Sequence, residues 1–158
     1  LKESKKGNNV VLIIDEAQNL KPEVLEEIRL ISNLETHKHK LIQIILVGQP
    51  ELKERLSLHS LRQLQQRVIV RYDIKPLSKE EVKEYIRHRL EICGADGKLQ
   101  FELNSIEAIF EFSQGIPRLI NMICDRALLS GFAQEKDTID TQTIVRCKEE
   151  LGNYFNGG

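Results

Sequence analysis

A short apolar segment that ends in two carboxylates constrains this chain more than any other feature. Residues 10–14 read VVLII, and Asp15 and Glu16 follow directly. A run this short, apolar and rich in β-branched residues predicts a strand covered on both faces, as in parallel sheets. Open α/β sheets bind their ligands at the carboxyl ends of the strands. The sequence therefore predicts a functional site at Asp15 and Glu16.

Two more apolar segments, residues 41–47 and 68–74, also predict strands. Between the first two strands, Pro22 suits the first turn of a helix. The apolar face of that helix is predicted to comprise Val24, Ile28, Ile31 and Leu34. A strand, a helix and a strand in succession predict an α/β fold with a parallel sheet.

After Pro76 the pattern becomes helical. Ser78 and Glu81 form a capping box that opens a helix with one apolar stripe, Val82, Tyr85, Ile86 and Leu90. Further helix starts are predicted at the pair Asn104 and Glu107, at Pro117 for a helix that ends near Gly131, and at Asp140 or Thr141 for a helix that reaches about Leu151. We expect an α/β part at residues 1–76, a small all-helical part at residues 77–151 and a tail at residues 152–158.

Composition argues against several function classes. The 23 basic and 24 acidic residues give a formal charge of −1 without a long run of one sign, so nucleic acid is not favoured as a partner. No apolar run approaches the roughly 18 residues of a membrane helix, so we expect no direct membrane insertion by this chain. Three widely spaced cysteines, Cys93, Cys124 and Cys147, are typical of reduced, buried thiols in a cytosolic protein.

The pair Asp15 and Glu16 fits the chemistry of nucleotide hydrolysis. Mg²⁺ requires hard oxygen ligands, which Asp15 supplies, and the next carboxylate can polarise an attacking water. The alternative is that both residues end a strand and cap the following turn.

A polar residue follows the second predicted strand in VGQPEL. Gln49 would lie beside Asp15 if the two strands are neighbours, and its amide could sense a γ-phosphate or position the water. The alternative is a Gly-x-Pro turn with a solvated glutamine.

Three arginines are candidates for phosphate contacts. Arg62 and Arg67 lie in LRQLQQRV, which predicts a short amphipathic helix, and either could act as an arginine finger toward a neighbouring subunit or remain a surface charge. Arg118 lies in GIPRLIN, at the start of a helix that should face the cleft. Its alternative role is an ion pair with Glu111 or Asp125.

In this order, the motifs resemble an AAA+ ATPase of the general secretion pathway protein A (ExeA-type) group. The segments DEAQNL, LVGQPEL, LRQLQQRV, PLS, HRL and GIPRLIN recur there at about these intervals, so the resemblance covers residues 10–151. It implies a P-loop NTPase (AAA+) with a three-layer parallel sheet core followed by a small helical lid. The implied roles are Walker B for Asp15 and Glu16, with Asp15 at the metal, sensor 1 for Gln49, arginine finger for Arg67 and nucleotide-binding sensor 2 for Arg118.

The resemblance also implies the cofactors ATP and Mg²⁺ and self-association into an oligomer. In that group the ATPase module is cytoplasmic, at the cytoplasmic face of the bacterial inner membrane, and works with an inner-membrane partner protein to assemble a type II secretion pore. Related ATPases serve exosortase and pilus systems. Two alternatives remain open: a non-catalytic protein-binding scaffold module and a DNA-associated AAA+ regulator of the transposition type.

One motif of that group is missing from the sequence. No G-x-x-x-x-G-K-[ST] loop occurs, and the nearest candidate, Gly97-Lys98, has Ile92 at the first glycine position and Leu99 at the hydroxyl position. Without that loop the β- and γ-phosphates have no cradle of backbone amides. We therefore expect an incomplete P-loop NTPase, the C-terminal portion of a longer ATPase, that is inactive alone.

Overall fold

The computed structural model describes residues 10–34 and 41–156, with side chains through residue 152. The chain divides into two compact units between Tyr72 and Asp73. The boundary expected from the sequence was Pro76, slightly further along the chain.

The first unit is built on a parallel pair of strands, β1 (Val11–Ile14) and β2 (Gln43–Leu46). Helix α1 (Pro22–Ile31) lies between them in sequence, and α2 (Glu51–Leu56) and α3 (Arg62–Arg67) follow β2. The predicted succession of strand, helix and parallel strand is confirmed for these elements.

One face of this sheet carries the core of the unit. Leu25 and Ile28 of α1 are buried with Leu61 and Leu64, and Ile14, Ile44 and Leu46 of the strands pack against them. The alternate strand residues are exposed: Val11, Ile13, Ile45 and Val47. The prediction that both faces are covered was therefore wrong for the described residues, because α1 and α3 contribute to the same core.

The buried face of α1 differs from the predicted one. Leu25 and Ile28 are buried, whereas Val24, Ile31 and Leu34 are exposed. Of the four predicted residues, only Ile28 is on the buried face. Helix α1 has apolar residues on more than one side, and the side that packs against the sheet is the one that is buried.

The predicted third strand does not form in the described chain. Residues 68–74 have no strand partner, and Ile69 and Val70 are 80% and 81% exposed. A strand is stabilised by hydrogen bonds to a neighbour and by burial of its side chains, so an apolar sequence without either stays outside a sheet.

The second unit has four helices around one core: α4 (Lys79–Ile92), α5 (Leu103–Ser113), α6 (Pro117–Ala133) and α7 (Thr141–Asn156). The capping box of α4 is confirmed, since Ser78 Oγ accepts the Glu81 N–H and the Glu81 carboxylate accepts the Ser78 N–H. Within residues 10–34 and 41–156, no helix has the length and apolar character to cross a membrane.

Two details of this unit differ from the predictions. Glu102 is the N-cap of α5, so Asn104 lies inside the helix rather than before it. A parallel pair of two-residue strands, β3 (Gln100–Phe101) and β4 (Thr138–Ile139), interrupts the all-helical pattern. Strands this short carry no periodicity that a sequence could reveal.

The cysteines are only partly as expected. Cys124 and Cys147 are buried, but Cys93 is exposed at the end of α4. Burial, together with the nearby Asp125 charge, raises the pKa of the Cys124 thiol to about 12. The expectation of three buried thiols was therefore wrong at Cys93, which is the C-cap residue after the last turn of α4.

Asp140 caps the last helix. Its Oδ1 accepts the N–H and the Oγ1–H of Thr143, each at 2.8 Å, and its Oδ2 lies 3.2 Å from Lys136 Nζ. The backbone hydrogen bond from Thr143 is the main reason that the pKa of Asp140 is lowered from 3.8 to about 2. Either Asp140 or Thr141 was predicted to cap α7, and Asp140 does so.

We expect Asp140→Ala to lower the free energy of unfolding by about 1 kcal/mol near neutral pH, and Asp140→Asn, which keeps an acceptor at the cap, to lower it less. Because the folded pKa is depressed, this contribution is present above 3.8 and is lost as the pH falls towards about 2. Urea unfolding of the three proteins over that pH range measures the effect. An equal loss of unfolding free energy in Asp140→Ala and Asp140→Asn would contradict the cap. So would a loss in Asp140→Ala that is as large at the lowest pH as near neutral pH.

Candidate functional site

The ends of β1 and β2 lie side by side. The Val47 N–H donates to the Ile14 carbonyl at 2.8 Å, and the Ala17 N–H donates to the Val47 carbonyl at 2.9 Å. The segments that carry Asp15 and Gln49 thus leave neighbouring parallel strands at the same edge of the sheet, so the predicted neighbouring strands are present.

Glu16 has a backbone conformation that non-glycine residues rarely adopt. Its φ of 50° and ψ of 35° lie in the left-handed region, which costs about 1–3 kcal/mol and persists only where neighbouring contacts impose it. Here the Glu16 N–H donates to Asp15 Oδ1 at 2.8 Å, and the Glu16 carbonyl accepts the Asn19 N–H at 2.9 Å. This turn sets the direction in which the Glu16 side chain leaves the backbone.

Gln18 connects the two strand ends. Only 8% of this residue is exposed, although it lies in a short 3-10 turn, Ala17–Asn19. Its Nε2 donates to Glu16 Oε2 at 2.5 Å, and its Oε1 accepts the Gln49 N–H at 3.1 Å. Gln18 lies within the motif DEAQNL, but nothing in the sequence shows that its amide is buried.

Gly48 makes room for this connection. A Cβ at Gly48 would lie 2.6 Å from Gln18 Oε1 and 3.3 Å from the Gln18 backbone nitrogen, closer than ordinary contacts. The sequence suggested a Gly-x-Pro turn here, but the structure shows that the glycine permits the close approach of β2's end to Gln18.

Arg55 holds the same turn from α2. Its guanidinium donates to the backbone carbonyls of Gln18 and Leu20, 37 and 35 positions earlier in the chain. A contact from a side chain to a distant carbonyl has no sequence signature, so the role of Arg55 could not be predicted from the sequence.

Arg62 and Arg67 lie at the two ends of α3, the short helix that was predicted from LRQLQQRV. Both are exposed, and among the described residues neither forms an ion pair. Both guanidinium groups are therefore available for a charged group of another molecule, and the single chain does not distinguish between them.

Arg118 lies in the second unit, at the second residue of α6. The loop before it depends on Gly115, whose φ is 75° and whose Cβ position would lie 2.0 Å from the Leu77 carbonyl oxygen. The Leu77 N–H donates to the Gly115 carbonyl at 2.9 Å, which fixes the loop at the start of the unit. Among the described residues, Arg118 forms no ion pair with Glu111 or Asp125, so that alternative was wrong.

The oxygen donors at the sheet edge fit Mg²⁺ and a water, but not a whole nucleotide. Mg²⁺ is usually held by one or two carboxylates together with waters and substrate phosphates. Asp15 supplies such a carboxylate, and within the described residues no group of three or more His, Cys, Asp or Glu side chains offers a closed protein cage. The sequence contains no Walker A loop, so the residues present do not supply the phosphate cradle.

Comparisons with known proteins agree with the sequence motifs. A family model described as an AAA domain matches residues 1–56. General secretion pathway protein A of Aeromonas hydrophila is 48% identical over 96% of this chain, and a potential ATP-binding protein of Staphylococcus aureus is 27% identical over 89%. The chain spans 28% and 50%, respectively, of the lengths of these relatives.

Solved structures show the same fold. The RuvB Holliday junction branch migration motor of Thermotoga maritima superimposes with a TM-score of 0.69 over 89% of this chain and 44% of its own, at 20% identity. At this identity, the likeness concerns the fold: an α/β sheet core followed by a helical unit.

Proposed function

We propose that this chain is the Walker B, sensor and lid part of an AAA+ ATPase that assembles a bacterial envelope secretion machine. Two similarities support the proposal: residues 1–56 match the AAA domain model, and 96% of the chain is similar to general secretion pathway protein A. The observation that carries this proposal is the joining of Glu16 to the Gln49 segment at one edge of the parallel sheet. ATPases of this fold hydrolyse nucleotide at the carboxyl ends of such strands.

Asp15 and Glu16 have different tasks in this proposal. Asp15 would hold Mg²⁺ through its carboxylate, and the bound metal would neutralise the charge on the phosphate oxygens. Glu16 would orient the attacking water and accept its proton, because its side chain is held by the Gln18 amide and its backbone by Asp15. Gln49 would contact the terminal phosphate or the water and so sense whether ATP or ADP is bound.

Arg118 and Arg67 are the two arginines that we assign to phosphate contacts. We assign Arg118, at the start of α6, to the phosphates of its own subunit, so that the second unit reports the nucleotide state. Arg67 at the end of α3 would reach the nucleotide of a neighbouring subunit in an oligomer. The oligomer would act on an inner-membrane partner protein from the cytoplasmic side.

We expect Arg67→Ala to reduce hydrolysis only in the assembled oligomer, because its target phosphate belongs to the neighbouring subunit. The measurement is Mg²⁺-dependent ATP turnover of a longer ATPase that contains these residues and a Walker A loop. Mixing the variant with a Glu16→Gln subunit, which retains Arg67, should restore part of the activity.

Arg62→Ala tests the other candidate, since Arg62 is exposed at the opposite end of the same helix. If mixing restores no activity, Arg67 has a structural role instead. If Arg62→Ala, rather than Arg67→Ala, loses hydrolysis only in the oligomer and regains it on mixing, Arg62 is the finger. A longer ATPase that folds and shows no Mg²⁺-dependent hydrolysis would favour a non-catalytic scaffold over the proposed function.

A further inference from the structure

We propose that Gln18 is a positioning residue that couples Glu16 to the Gly48–Gln49 segment, so that movement after β2 changes the orientation of the carboxylate that activates water. This coupling rests on the proposed ATPase function. Gln18 itself need not touch nucleotide, metal or water, because it acts through Glu16.

The first support is the chemistry of the two hydrogen bonds. Gln18 donates from Nε2 to the carboxylate of Glu16 and accepts at Oε1 from the N–H of Gln49. A carboxylate at position 18 could only accept, and a lysine or arginine could only donate. An amide of this length satisfies both partners at once.

The second support is that Gln18 is buried and that its backbone and side chain are both in contact with neighbouring residues. The residue is 8% exposed, Gly48 lies against its Oε1 where a Cβ would not fit, and Arg55 donates to its backbone carbonyl. Leaving a buried amide group without a partner costs about 1–3 kcal/mol. We therefore expect the Gln18 side chain to reorient when Oε1 loses the Gln49 N–H, and Nε2 then also loses Glu16.

The consequence is a short path from the sensor segment to the catalytic carboxylate. When the Gln49 backbone shifts away, Gln18 Oε1 loses its donor, and the side chain turns to find another one. Its Nε2 then leaves Glu16 Oε2, and the carboxylate is free to adopt other rotamers. Glu16 would be held for catalysis only while the segment after β2 is in the position seen here.

The test uses a longer ATPase that includes these residues and a Walker A loop. Gln18→Met should lower kcat by about 10- to 100-fold with little change in the KM for ATP, because it removes the partner that orients a catalytic group but no nucleotide contact. Gln134→Met is the matched control, since Gln134 Nε2 also donates a hydrogen bond but to Ser130 in α6. It should leave kcat unchanged.

A double-mutant cycle separates coupling from a general loss of structure. In the Glu16→Gln background, Gln18→Met should cause little further loss, because the effect acts through Glu16. An equal fall in kcat in both backgrounds would overturn the proposal. So would a rise in the KM for ATP without a fall in kcat. Normal hydrolysis by Glu16→Gln itself would instead contradict the catalytic role of Glu16.

Gln18→Glu is a second variant, of nearly the same size, in case Gln18→Met does not fold. A carboxylate at position 18 can accept from the Gln49 N–H but cannot donate to Glu16, so Gln18→Glu should also lower kcat with little change in the KM for ATP. A kcat equal to that of the parent would overturn the proposal.

Discussion

Glu16→Gln is expected to lower ATP turnover by at least about 10²-fold, because an amide cannot polarise water or accept its proton as a carboxylate does. ATP binding should be preserved. The structure explains why this variant isolates the charge: the amide oxygen of the new side chain can still accept from Gln18 Nε2, so the hydrogen bond that positions the side chain remains possible.

Steady-state turnover and nucleotide titration of a longer ATPase with a Walker A loop measure both quantities. Glu27→Gln is a suitable control, because it removes the same charge from an exposed position in α1. Turnover of Glu16→Gln within a few-fold of the parent would end the catalytic assignment of Glu16. A parallel loss of ATP binding would point to a structural role for the carboxylate.

The 158-residue chain by itself is expected to self-associate through its first unit. One face of the sheet exposes Val11, Ile13, Ile45 and Val47, and the segment after α3 exposes Ile69, Val70 and Tyr72. Apolar sheet faces and extended apolar segments without a partner strand pair with other chains, by strand addition or by exchange of elements. Light scattering over a range of concentrations should show species larger than the monomer.

A charge in the segment after α3 should suppress the association. Val70→Lys introduces the kind of residue that protects strand edges, and Phe132→Lys is the matched control, because Phe132 is as exposed but lies in α6 of the second unit. A strictly monomeric chain, or equal suppression by both variants, would contradict the prediction. The same chain should not bind Mg-ATP with micromolar affinity, because its sequence lacks the phosphate cradle.

The candidate site divides into residues that the sequence pointed to and residues that only contacts reveal. Asp15, Glu16 and Gln49 were predicted because they follow apolar strands, and adjacent parallel strands bring such positions to one edge. Gln18, Gly48 and Arg55 were not assigned roles, since their importance lies in hydrogen bonds and close approaches across 30 to 37 positions of the chain.

The fold shows the same division. The capping box at Ser78 and the proline at the start of α6 are local signals, and the helices begin where these signals predicted. The segment at residues 68–74 has the composition of a strand but not its hydrogen bonds, because a strand depends on a neighbour that its own sequence does not specify.

The sequence by itself determined the succession of β1, α1 and β2, the starts of α4 and α6, the family motifs, the absence of a Walker A loop and the positions of the carboxylates. These properties follow from local preferences and from spacing along the chain. Only the tertiary structure decided which face of α1 and of the sheet is buried, that Glu16 adopts a left-handed conformation and that Gln18 bridges Glu16 and Gln49. Those features depend on which distant residues meet, and burial and hydrogen bonding are properties of the folded contacts rather than of any one segment.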